Sequence, residues 1–275
     1  MSHDHNPVFE DSGTPQPWHL VPPSPWPFLG SLAAGLLAAA LVAYLHGGFT
    51  GLAGVALSVA AVMAVMALWW RDVLREGRAA KGHSEPVQVG LHYGMALFIS
   101  SEVMFFVAFF WAYYSAAFFP PAALGGLWPP AGLSPPDPFH LPLLMTAILL
   151  SSGVTVTVAH HGARAGRPLA LAWGLALTVA LGAVFTLCQA WEYLEADFSL
   201  SSGMFGSTFY MATGFHGLHV IIGTVFLAVC LGRALRGGLT PRRHFGLTAA
   251  AWYWHFVDVV WLFLFVSIYW YGSRG

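Results

Sequence analysis

AAWYWHFVDVVWLFLFVSIYWYG, Ala250 to Gly272, is apolar enough to sit in lipid yet carries His255 and Asp258 one helical turn apart. An ionisable side chain near the middle of a membrane span costs at least ~2.5–3.5 kcal/mol even on lenient insertion scales, so it persists where the interior of a bundle uses it. What His255 and Asp258 face therefore bears directly on what the chain does.

The composition fixes the solvent. The 275 residues are 57% hydrophobic and 8% charged, against about 25% charge in soluble domains, so the chain reads as an integral membrane protein. Apolar runs cover Phe28 to Tyr44, Gly51 to Trp70, Val89 to Phe119, Leu143 to Ala159, Leu169 to Trp191, Gly206 to Leu231 and Phe245 to Trp270. Most are long enough to cross a bilayer as helices, whereas a membrane barrel would show short alternating segments. The expected fold is all-α, a seven-transmembrane-helix bundle.

Basic residues orient it. Arg71, Arg75, Arg78 and Lys81 follow the second span, Arg164 and Arg167 the fourth, and Arg233, Arg236, Arg242 and Arg243 the sixth, leaving Arg274 alone on the other side. The positive-inside rule puts the N-terminus inside and the C-terminus outside. Residues 1–26 contain no Lys or Arg and are proline-rich, so they read as an inner tail rather than a signal peptide, with His3 and His5 on it. The expected organisation is that tail, a two-helix unit at 27–70, an inner loop at 71–88 and a five-helix bundle at 89–272. The proline-rich Pro120 to Pro142 reads as an ordered outer loop with Trp128 and Phe139 as interface anchors. Cys188 and Cys230 fall at opposite ends of their spans, too far apart for a disulfide.

Inside the spans, Glu102, His216, His219, His255 and Asp258 all reach a depth of ~16–22 Å at 1.5 Å per residue. His216 and His219 share one helix face, as do His255 and Asp258. A carboxyl at this depth is either protonated or paired with a donor such as histidine. Three uses compete: polar packing between helices, a proton or ion pathway, and a metal or haem site. The third is the weakest, because a haem-copper centre needs about six intramembrane imidazoles and two separated cysteines make no thiolate copper site.

At one end of the spans, His160 and His161 are either an ordinary interface pair or a proton-collecting or phosphate-contacting one. Trp69, Trp70, Arg71 and Asp72 form an aromatic belt followed by positive charge. With Arg75, Glu76 and His83 they would also suit an anionic lipid head group.

The strings WWRDVLREG (69–77), YGMALFISSEVMFF (93–106), SSGVTVTVAHH (151–161), YMATGFHGLHVIIGT (210–224) and AAWYWHFVDVVWLFLFVSIYW (250–270) together resemble cytochrome c oxidase subunit III. The resemblance runs from Pro22 to the C-terminus. It implies two plus five helices around a V-shaped cleft that holds phospholipid, with Trp69, Trp70, Arg71, Glu76, His83, Arg233 and His244 as lipid contacts. It implies a subunit with no catalytic centre, metal or cofactor of its own, haem and copper being held by partner subunits. Subunit I is the direct partner in a proton-pumping oxidase, subunit II belongs to the same complex, and cytochrome c is met only through that complex. No nucleic acid partner is expected.

The resemblance further implies that the family's reactive buried carboxylate is Glu102, and that the subunit keeps proton uptake rapid and protects the catalytic subunit during turnover. Two departures stand out. The family usually carries an acid after FG, where this chain has Leu247 and Thr248, and GARAGRP follows the paired histidines in place of an acidic-basic loop. A quinol-oxidase or nitric oxide reductase relative stays open, although many of these have five spans. A stand-alone proton-coupled transporter using Glu102 and Asp258 would show inverted repeats and broken helices that are not visible here. The Ala, Gly and Arg bias, with a single Lys, favours a bacterial cytoplasmic membrane over a mitochondrial inner one.

Overall fold

The computed structural model describes residues 23–47, 51–76, 85–120, 126–130, 132–241 and 243–273. Among these residues seven helices are long and apolar enough to cross a membrane. They are α1 (Trp26–Leu45), α2 (Gly51–Glu76), α3 (Glu85–Phe118), α4 (Leu141–Arg164), α5 (Pro168–Glu195), α6 (Gly203–Leu235) and α7 (Phe245–Leu264). A π-helical segment, Phe265–Tyr271, carries α7 onward. Among the described residues the sole β feature is an isolated bridge between Thr240 and Arg243. His83, His3 and His5 lie outside the described residues.

Two helix ends correct the sequence reading. Arg71 to Glu76, taken as the start of a loop, continue α2, and Glu85 already begins α3. Arg71 and Arg75 sit 3.4 Å from Asp72 Oδ1, and long basic side chains keep their charge in water while the backbone stays helical. Trp128, expected as an interface anchor, packs inward with its ring 5.5 Å from Tyr113 and 5.4 Å from Phe205. Phe139 remains exposed.

The chain divides into two compact units, residues 1–91 and 92–275. The junction expected at 88 falls within the same helix, α3. In the first unit α1 and α2 are antiparallel, closed by a hydrogen bond of 2.9 Å from Trp26 Nε1 to Asp72 Oδ2. Trp69 lies across Gly30, where a Cβ would meet its ring at 3.7 Å.

In the second unit α4 and α5 approach to backbone contact. A Cβ at Gly174 would lie 2.8 Å from the Thr155 carbonyl, and one at Gly162 would lie 2.8 Å from the Leu171 amide. Such close approach between membrane helices needs small residues. The turn joining them ends α4 with a Schellman closure, Arg167 N–H donating to the Gly162 carbonyl at 2.8 Å, for which Gly166 adopts φ +66°. Pro168 then starts α5, where its missing N–H is not needed.

Helix α7 is the most enclosed of the seven spans, leaving a narrow strip at Trp252, Val259 and Phe263 exposed. Trp254 lies against Gly182 and Gly223, where added Cβ atoms would come within 2.8 Å of its ring. Its indole N–H donates to Ser152 Oγ at 2.8 Å, and Trp261 N–H donates to Thr146 Oγ1 at 2.9 Å. These two bonds fix the register of α7 against α4. Cys188 and Cys230 are free thiols.

Candidate functional site

The register of α7 turns Asp258 inward. Its side chain is 8% exposed and that of His255 45%, with Oδ2 lying 3.4 Å from His255 Nδ1. Gly153 on α4 leaves the space this carboxyl occupies, since a Cβ there would come 2.5 Å from Oδ2. Thr157 donates its hydroxyl proton to the Gly153 carbonyl at 2.9 Å and so accepts from His255 Nε2, 3.2 Å away. With Nε2 protonated, Nδ1 and Asp258 Oδ2 share one further proton, which gives either acid and neutral ring or carboxylate and imidazolium. Asp258 Oδ1 has no hydrogen-bond partner among the described residues.

A second pair repeats the logic with the nitrogens exchanged. His219 Nδ1 donates to the Phe215 carbonyl at 2.6 Å, and its Nε2 lies 3.1 Å from Glu102 Oε2. A carbonyl can only accept, so Nδ1 holds a proton and a single further proton lies between Nε2 and Glu102. Phe105, Phe106, Tyr253 and Phe256 wall the ring. His216, one turn earlier, takes no part. It is fully buried against Phe185 and Trp261, and its Nε2 donates to the Val257 carbonyl at 3.2 Å.

The five polar residues that share a depth in the sequence thus form two acid–imidazole pairs and a separate histidine. Sequence reading missed a further acid, which is buried. Glu192 Oε2 accepts from Gln189 Nε2 and from the Tyr269 hydroxyl, each at 2.7 Å. The signal was Gln and Glu at i, i+3, but ending the fifth span at Trp191 left Glu192 outside it.

At the arginine-rich end of the second unit, His160 Nε2 lies 3.1 Å from Thr248 Oγ1, while His161 Nδ1 donates to the Thr157 carbonyl at 3.0 Å. His244 precedes α7, with its ring 6.0 Å from that of His160. The Arg233 guanidinium packs over Gly246, where a Cβ would meet Nη1 at 3.0 Å. In the first unit, Trp69, Trp70, Arg71 and Glu76 occupy the last turns of α2. Among the described residues no three His, Cys, Asp or Glu side chains gather as metal ligands.

The family described as Cytochrome c oxidase subunit III matches residues 16–273. The chain belongs to this family. Cytochrome c oxidase subunit 3 of Scyliorhinus canicula is 55% identical over 257 residues, covering 94% of this chain and 98% of the relative. That of Cyprinus carpio is 55% identical and that of Gadus morhua 54%, each covering 93% of this chain and 97% of the relative. As a subunit III the chain is part of cytochrome c oxidase, a multi-subunit oxidoreductase complex, and is a multi-pass membrane protein. These vertebrate relatives give no support to the bacterial membrane favoured by composition, and a mitochondrial inner membrane fits them.

Proposed function

We propose that this chain is a non-redox subunit III of a proton-pumping oxidase, packing directly on subunit I in a complex that also holds subunit II. The observation that carries the reading is the divergence of the three deep imidazoles. His216 Nε2 is committed to the Val257 carbonyl, His219 Nδ1 to the Phe215 carbonyl and His255 Nε2 to the Thr157 hydroxyl. Ligands for one redox metal would converge on a common point, whereas His216 reaches from α6 to α7, His255 from α7 to α4, and His219 is held by its own helix. Oxygen reduction then belongs to the haem and copper of partner subunits, and the N-terminus lies inside with the C-terminus outside.

Its part in turnover is to support proton uptake and to stabilise the catalytic subunit, with bound phospholipid as a structural component. Exposed Trp69 and Trp70 beside Arg71 offer an aromatic and cationic surface at the end of α2, with Glu76 and His83 nearby in sequence. Arg233 and His244 are the proposed contacts of the second unit. The test is purification from native membranes. The chain is expected to bring down subunits I and II with their haem spectrum and to be colourless once separated. A haem that stays with the separated chain, or a colourless homo-oligomer from native membranes, overturns the reading.

A further inference from the structure

We infer that a groove at the arginine-rich end of the second unit is a binding site for a phosphate-bearing anion. The groove encloses about 550 Å³. One wall is Arg164 and His160 from the end of α4, another is His92 from α3, and His244 closes the third side with Thr248 from the start of α7. Trp252 and Pro241 complete the lining, which contains no carboxylate among the described residues. The lining therefore combines a permanent guanidinium with three imidazoles and an apolar ledge.

The hydrogen bonds show what such an anion meets. His244 Nδ1 donates to the Thr240 carbonyl at 3.3 Å, which leaves Nε2 to contact a ligand. His160 Nε2 is occupied by Thr248 at 3.1 Å, which leaves its Nδ1. An imidazole nitrogen placed this way accepts from a phosphate hydroxyl or, on taking a proton, donates to a phosphate oxygen. Arg164 supplies the planar fork that phosphate oxygens accept from in pairs. His92 is held edge-on to Phe245 and Trp252, with ring centroids 4.9 and 5.8 Å away. A metal ion is the poorer occupant, because the permanent positive charge of Arg164 opposes it and no set of three ligands converges among the described residues.

Free phosphate and a phospholipid head group share this chemistry. In the test, the assembled oxidase is delipidated and titrated with radiolabelled inorganic phosphate by equilibrium dialysis. In parallel it is reconstituted with phosphatidylglycerol in a phosphatidylcholine background, and retained lipid is read by native mass spectrometry. Saturable phosphate binding assigns a free anion, while phosphatidylglycerol retention without phosphate binding assigns a head group. In the arm that binds, Arg164→Gln is expected to weaken binding roughly tenfold or more, as loss of a charge-assisted bond does. Thr248→Glu, which places a carboxylate in the groove, is expected to abolish it. Arg71→Gln, in the proposed lipid surface of the first unit, is expected to leave phosphate binding unchanged and, in the lipid arm, to leave the further loss caused by Arg164→Gln intact, so the groove and that surface fail separately. No binding in either arm, or equal affinity in wild type and both groove variants, overturns the inference.

Discussion

Gly153 on α4 makes room for Asp258 on α7: a Cβ added at 153 would stand 2.5 Å from Oδ2 and 3.7 Å from His255 Nδ1. Gly153→Ala must therefore push the carboxyl off its imidazole or the helices apart. Overpacking of this kind costs about 1–3 kcal/mol. Gly94→Ala is the control, because a Cβ there meets nothing within 4 Å. Thermal dissociation of the purified complex is expected at lower temperature for Gly153→Ala and unchanged or higher for Gly94→Ala.

Glu102 tests whether the acid–imidazole pairs brace helices or conduct protons. Glu102→Gln keeps a hydrogen-bonding group opposite His219 Nε2, whose present partner lies at 3.1 Å. Oxygen reduction by the complex is expected to stay substantially intact, and proton pumping at normal electron flux to persist. Loss of pumping with electron flux preserved would make Glu102 a relay element instead.

The two buried indoles of α7 test a partial loss of side chain against a complete one. Ser152 and Thr146 also donate to their own helix carbonyls, at 2.6 and 2.8 Å. Removing the indole N–H therefore leaves no hydroxyl proton stranded. Trp261→Phe removes the indole N–H together with part of a fully buried ring and is expected to cost about 1–2 kcal/mol, more than the hydrogen bond alone. Trp254→Ala empties a fully buried site and is expected to cost about 3–5 kcal/mol. Unfolding of the subunit in mixed micelles distinguishes the two sizes.

Glu192 gathers two donors on one oxygen, so replacing it strands both. Glu192→Leu leaves the Tyr269 hydroxyl and the Gln189 amide without their 2.7 Å partner. Each orphaned buried donor costs about 1–3 kcal/mol. Glu192→Gln keeps an acceptor and is expected to be much milder. Recovery of assembled complex from membranes orders wild type, Gln and Leu accordingly.

The spans were legible because lipid imposes length and apolarity on any helix that crosses it. Their rotation was not. In lipid both the buried and the outward faces are apolar, so Val257 in the core and Val259 facing out look alike in sequence. That is why Glu102, His219 and His216 could be placed at one depth while the choice of His219 as the partner of Glu102 could not be read. Polar residues near helix ends were hardest, as Glu192 shows, because an acid there reads equally well as the first residue of a loop.

The two acid–imidazole pairs also differ in when they can form. His255 and Asp258 emerge on the same helix and can neutralise each other as α7 enters the bilayer. Glu102 has its partner 117 positions away, on the third span after its own, with α4 and α5 between them. During synthesis α3 therefore precedes the histidine that accepts or supplies its proton. Biogenesis of this subunit must carry a lone carboxyl through several insertion steps, and a premature stop before α6 strands it there.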